Sequence, residues 1–136
     1  MTAMASCADC HTPRNDKGDL LQHLAFGGGN IVEYQPAWAP RAASNLTPAV
    51  NGIPYYNEDL FLEVMRTGRV RERKLSDMMP WGHYRGMTDE DLKSIFAYLK
   101  TLTPVDHYVD NAMSPTPCAV CNLEHGGGER TKARTD

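Results

Sequence analysis

Cys7-Ala8-Asp9-Cys10-His11 is the stretch on which the reading of this chain turns. C-x-x-C-H is the attachment signature of a c-type haem. Two cysteines three positions apart can meet the two vinyl groups along one edge of a porphyrin. The histidine that follows is then carried under the ring, where an imidazole nitrogen can ligate iron. A thioredoxin-like redox pair would sit in a βαβ pattern, and none surrounds these residues.

Working outward, Met1 to Ser6 reads as the end of a helix that begins upstream, because alanine and methionine are strong helix formers. Thr12 to Gly18 is a polar turn. Leu20, Leu21, Leu24 and Phe26 form a short apolar patch suited to lie against the ring. His23 reads as a surface residue. Gly27-Gly28-Gly29 is a flexible turn, since no phosphate-loop lysine follows. Residues 30 to 56 are rich in Pro, Asn, Ala and Gly and read as irregular loop, with one short β pairing near Ile31-Val32 and Trp38. Asn45-Leu46-Thr47-Pro48 lies within it, and the Asn45 amide is a candidate donor to a haem propionate; an ordinary turn is the alternative.

The spacing predicts a helix over 57–67. Asn57 is its cap, Glu58 and Asp59 occupy its first turn, Leu60, Phe61, Val64 and Met65 make its apolar face, and Gly68 stops it in a left-handed conformation. A second helix spans 88–102. Thr88 caps it, Asp89, Glu90 and Asp91 complement its dipole, and Leu92, Ile95, Phe96 and Leu99 form a one-sided core stripe. Between them lies the basic run Arg66, Arg69, Arg71, Arg73 and Lys74, which is either a docking patch for an acidic redox partner or a solvated turn. Met78-Met79-Pro80-Trp81 follows. A thioether is a soft ligand suited to haem iron. Trp81 and Tyr84 can pack on the ring or donate to a propionate.

Length predicts a single modest domain over 1–105, to whose core a haem would add a rigid apolar disc. Residues 106–136, with Pro115, Pro117 and Gly126-Gly127-Gly128, read as an extended tail. Cys118-Ala119-Val120-Cys121 within it is followed by Asn122, not histidine, so it offers no second haem site; His125, four residues past Cys121, could complete only a partial metal site, and a local disulfide or free thiols are expected there. The net charge of −3 points to no nucleic-acid or membrane-surface partner. No stretch approaches a membrane span.

Three features stand in a recognisable order: Cys7-Ala8-Asp9-Cys10-His11, then Met79-Pro80-Trp81, then a capped helix from Met87-Thr88-Asp89-Glu90-Asp91-Leu92 to Thr103-Pro104-Val105. Together they resemble the class I mono-haem cytochrome c family, and in particular the bacterial domains that accompany alcohol and sugar dehydrogenases. The Asn45-Leu46-Thr47-Pro48 segment is also similar to those domains.

The resemblance implies an all-α fold of helices and long loops wrapped around one covalently bound haem c. It implies thioethers at Cys7 and Cys10 and iron ligation by His11 and Met79. It implies an electron carrier, not an enzyme, working between a dehydrogenase donor and an oxidase or another cytochrome as acceptor. The family's N-terminal helix is almost absent from these residues. Covalent haem attachment occurs outside the bacterial cytoplasm, so a periplasmic or other extracytoplasmic location is expected, with a signal peptide that the printed residues do not include. Two alternatives stay open. A haem sensor or peroxidase-like enzyme follows if Met79 does not bind iron. A zinc module would use both pairs, Cys7, Cys10, Cys118 and Cys121, although they lie more than a hundred residues apart.

Overall fold

A computed structural model describes residues 6–33 and 41–131. Expectations for residues 1–5 and for Trp38 lie outside them. Among the described residues the architecture is four helices joined by long loops, with three two-stranded antiparallel sheets. This is a cytochrome c-like arrangement. No helix among these residues is long and apolar enough to cross a membrane.

The two predicted helices form as their caps dictate. Helix α2 is Glu58–Thr67, and the Asn57 side chain accepts a hydrogen bond from the Leu60 N–H at 2.8 Å. Gly68 ends it at φ 67°. Helix α4 is Asp89–Thr101, and the Thr88 hydroxyl accepts from the Asp91 N–H at 3.1 Å. Each cap satisfies an amide that the helix itself leaves without a partner. Two shorter helices, α1 (Cys7–His11) and α3 (Trp81–Tyr84), are single turns that cannot persist alone and depend on packing.

The core lies between α2 and α4. Leu92, Ile95, Phe96 and Leu99 are buried against Phe61 and Met65, with Phe26 and Ile53 from the loops. Phe61 and Phe96 stack with ring centroids 5.2 Å apart. Val64 is buried as well, while Leu60 is only half-buried. Arg66 ties the two helices at the surface through Asp89, 2.7 Å away, and through the Arg85 carbonyl.

The three small sheets are β1 (Ile31–Glu33) with β2 (Arg41–Ala42), β3 (Arg69–Val70) with β4 (Arg73–Lys74), and β5 (Pro115–Pro117) with β6 (Glu124–Gly126). The first is the short pairing expected near Ile31. The second carries the basic run. Its turn residue Arg71 adopts φ 56° and lies over the Tyr55 ring.

The segment after Val105 departs from the extended tail expected of it. It folds back on the body. Asn111 exchanges two hydrogen bonds with the backbone of Ala42, at 2.8 and 2.9 Å, as a neighbouring strand would. Leu24, Val105, Cys118 and Cys121 then form a second buried cluster. The glycines that read as tail are there because backbones meet closely. A Cβ on Gly126 would sit 1.9 Å from the Asp110 carbonyl oxygen, and one on Gly128 would sit 2.1 Å from that of Thr116. Composition alone cannot separate glycine for flexibility from glycine for close approach.

Candidate functional site

Helix α1 sets the geometry of the attachment motif. One helical turn places residues i and i+3 on the same face, so Cys7 and Cys10 are presented together. Both are free thiols, Cys7 half-buried against the main core and Cys10 exposed. Burial raises the Cys7 thiol above its ordinary value; its own backbone hydrogen bond opposes this and nearby Cys10 adds to the rise. His11 follows at the end of the turn and is buried, with 9% of its surface exposed. Its Nδ1 lies 2.7 Å from the Ser44 carbonyl oxygen. A carbonyl only accepts, so Nδ1 carries the proton and Nε2 keeps its lone pair. Burial lowers the imidazole's proton affinity, and the Ser44 contact only partly offsets this, so the ring is held neutral. The Gly28 N–H donates to the His11 carbonyl at 2.8 Å, and the Thr12 hydroxyl accepts from the Phe26 N–H at 3.0 Å. The glycine loop therefore clasps the end of α1.

Met78 and Met79 are adjacent and differ in environment. Met78 is 54% exposed, whereas Met79 packs on the same core cluster as Cys7 and Tyr84. The segment is a turn and not extended chain, since the Met79 N–H donates to the Ser76 carbonyl at 3.0 Å. The two side chains still diverge. Tyr84 lies close enough to the thiols for both to bear on it. Burial raises its hydroxyl first, and Cys7 and Cys10 add to the rise.

Trp81 is half-buried and lies on Gly68, where an added Cβ would come within 2.3–2.6 Å of the indole ring. Gly68→Ala therefore combines a left-handed backbone with a clash. The expected cost is about 2–4 kcal/mol in denaturant unfolding, with displacement of Trp81 reported by its fluorescence. A change within ~0.5 kcal/mol would mean that the indole yields freely.

Asn45 requires a correction. The sequence reading turns its amide toward a haem propionate, but the structure uses that amide inside the protein. Asn45 is 3% exposed, and its Nδ2 donates to the carbonyls of Val105 at 2.8 Å and His107 at 3.0 Å. Its Oδ1 accepts from the Thr47 N–H at 2.9 Å and the Thr47 hydroxyl at 2.7 Å. The side chain staples the loop of residues 45–47 to the chain after α4.

The four-cysteine zinc alternative also requires correction. Cys118 and Cys121 are buried with His107 and His125, and Cys7 and Cys10 are not in that group. Cys118 and Cys121 stand as free thiols, one of the two states expected of them. His107 escaped the sequence reading because its partners lie 11 to 18 residues further along, outside any contiguous motif.

The donors around α1 fit a c-type haem. They are two free thiols on one turn, a neutral buried imidazole with a committed Nδ1, and a thioether on the same apolar cluster.

No family model matches the sequence. The chain is 33% identical over 121 residues, 85% of its length, to a fructose dehydrogenase cytochrome subunit of Gluconobacter japonicus, of which the match covers 23%. It is 26% identical over 158 aligned residues, 94% of its length, to the cytochrome c subunit of a quinone alcohol dehydrogenase of Gluconacetobacter polyoxogenes, of which the match covers 33%. The same figures hold for the cytochrome c subunit of a quinone alcohol dehydrogenase of Komagataeibacter europaeus. The chain spans a third or less of the length of these curated relatives. A C-x-x-C-H turn on a cytochrome c-like scaffold and these similarities agree, and the chain is a homologue of the cytochrome subunits of dehydrogenases.

Proposed function

We propose that this chain is an extracytoplasmic electron-transfer domain carrying one c-type haem, held by thioethers to Cys7 and Cys10 and ligated by His11 and Met79. The observation that carries the reading is the attachment turn itself: paired free thiols beside a buried imidazole whose Nδ1 is engaged by Ser44 and whose Nε2 is not. When bound, the haem supplies a one-electron iron couple.

The chain's own residues do the rest. The Ser44 carbonyl fixes the tautomer and plane of His11. The α2–α4 core, on which Cys7 and Met79 pack, offers an apolar, low-dielectric wall that resists rearrangement between charge states. Met79 would offer its thioether as the second protein ligand to iron beside His11, a donor that would favour the reduced form. Cys10 is exposed, so a haem held there would have its attached edge at the surface, within reach of a redox partner. The donor is a dehydrogenase subunit, by analogy with the names of the relatives, and the acceptor is an oxidase or a second cytochrome. The exposed arginines of the β3–β4 hairpin suit an acidic partner surface.

The test is intact mass and absorption of the chain matured in a haem-attaching host. One haem per chain is expected. Replacing both Cys7 and Cys10 by Ala removes it, whereas replacing Cys118 and Cys121 leaves the haem count unchanged. Two haems per chain, or none, overturns the reading. Rapid, complete carbon monoxide binding to the reduced protein would favour a sensor or peroxidase over a carrier.

A further inference from the structure

The segment after Val105 contains four side chains that the electron-transfer reading does not use. His107, Cys118, Cys121 and His125 each offer one ligand atom, and the four atoms lie within 4.8 Å of one another. All four residues are buried, with 0–2% of their surface exposed. They come from separate places. His107 lies in the chain leaving α4, Cys118 and Cys121 flank a tight turn after β5, and His125 lies on β6 opposite Thr116.

The local sequence explains the turn. Cys118 and Cys121 bracket Ala119-Val120, and Asn122 adopts φ 59°, a left-handed conformation that asparagine tolerates. The Asn122 N–H then donates to the Cys118 carbonyl at 3.0 Å, and the Cys118 N–H donates to the Leu123 carbonyl at 2.9 Å. This closes the loop and turns both sulfurs to the same side.

The hydrogen bonding of the two imidazoles aims both Nε2 atoms at one shared space. His107 Nδ1 lies 2.9 Å from the Gly27 carbonyl, and His125 Nδ1 lies 3.1 Å from the Gly126 carbonyl. Carbonyls only accept, so both Nδ1 atoms carry protons. Both Nε2 atoms are then lone-pair donors, yet they face one another at 3.1 Å with the Cys118 sulfur 3.4 Å from His107 Nε2. Lone pairs brought together out of water repel unless something positive lies between them. A tetrahedral zinc ion with Zn–N of about 2.0–2.1 Å and Zn–S of about 2.3 Å has N···N edges near ~3.3 Å and N···S edges near ~3.6 Å. The N···N separation of 3.1 Å and the N···S separation of 3.4 Å lie close to those edges.

We infer that His107, Cys118, Cys121 and His125 form a structural zinc site, separate from the haem. The balance is simple. Zn²⁺ displaces one proton from each of two thiols, and two protons leave to solvent. The resulting Zn²⁺ with two thiolates and two neutral imidazoles carries no net charge, which suits full burial. No oxidant or reductant is involved. Four protein ligands close the coordination sphere, so the site is structural and not catalytic.

Its place in the fold gives it a job. His107 Nδ1 donates to the Gly27 carbonyl, and the next residue, Gly28, donates its N–H to the His11 carbonyl. Gly29 is pressed on the same ring, since a Cβ there would sit 2.4 Å from the His107 imidazole. The ion thus fastens the hairpin of residues 115–126 behind the loop that clasps His11.

The experiment uses the full chain matured with haem in zinc-replete medium. Elemental analysis is expected to show one zinc per haem iron after dialysis. Absorption fine structure at the zinc edge, where haem does not interfere, is expected to fit two sulfurs at about 2.3 Å and two nitrogens at about 2.0 Å. His125→Ala and Cys121→Ser each drop the zinc-to-iron ratio from one to zero. Extraction of zinc with a strong chelator lowers the thermal midpoint by about 10 °C or more. Should either variant not fold, the ratio and ligand shell of the unaltered chain decide. A chain with haem iron but no zinc, an oxidised Cys118–Cys121 pair, or a different metal bound in zinc's presence overturns the proposal. The Cys7→Ala, Cys10→Ala double variant keeps zinc while losing haem, which separates failure of this site from failure of the haem assignment.

Discussion

Asn45→Ala lowers the stability of the folded chain by roughly 3–4 kcal/mol, a large share of the total for a domain of this size. Truncation strands the buried His107 carbonyl, takes one of two donors from the Val105 carbonyl, which keeps the His107 N–H at 3.0 Å, and removes the acceptor of the Thr47 N–H and hydroxyl. Each buried polar group left unpaired costs about 1–3 kcal/mol, and the Thr47 hydroxyl alone can turn to a new partner. That hydroxyl also accepts from the Val105 N–H at 3.1 Å, so the damage spreads along the same staple. Asn45→Asp is expected to be as harmful. It keeps an acceptor for Thr47 but loses both donors and sets a carboxylate against two carbonyl oxygens. Urea midpoints of the haem-loaded protein measure both effects. If Asn45 served a propionate instead, Asn45→Ala would shift the reduction potential and leave the urea midpoint within about 1 kcal/mol of the parent.

On the proposed ligation, Met79→Ala is expected to abolish the ferric methionine-to-iron charge-transfer band, lower the reduction potential by on the order of 0.1–0.3 V and open iron to external ligands; axial ligands command a span of roughly 0.8 V across haem proteins. Met78→Leu leaves all three properties nearly as they were, with a packing change below ~1.5 kcal/mol. The contrast follows from environment. Met79 packs on the cluster that also holds Cys7 and Tyr84, while Met78 faces solvent. Met65 is 4% exposed inside α2 and belongs to the core. Redox titration with absorption near the charge-transfer band distinguishes the neighbours. If the Met78 change removes the band and the Met79 change does not, the ligand is assigned one residue too late.

Several parts of this molecule are local problems, and local chemistry solves them. An asparagine and a threonine cap α2 and α4 through bonds that span three residues, and the apolar stripe of α4 repeats at the helical period. The C-x-x-C-H turn is equally local, because thiols and imidazole are presented by a single helical turn. For the two capped helices the amino-acid order alone was enough.

The rest depended on contacts between distant positions. Asn45 read as a free donor because the carbonyls that occupy it lie 60 and 62 residues away. Pro, Gly and charge after Val105 read as extended chain, because composition does not reveal that the glycines mark backbones in contact or that Asn111 mimics a strand against Ala42. Cys118-x-x-Cys121 with His125 read as a partial metal site at most. Only folding brings His107 to it and completes a set of four, since metal ligation is set by distances in space while sequence motifs record distances along the chain.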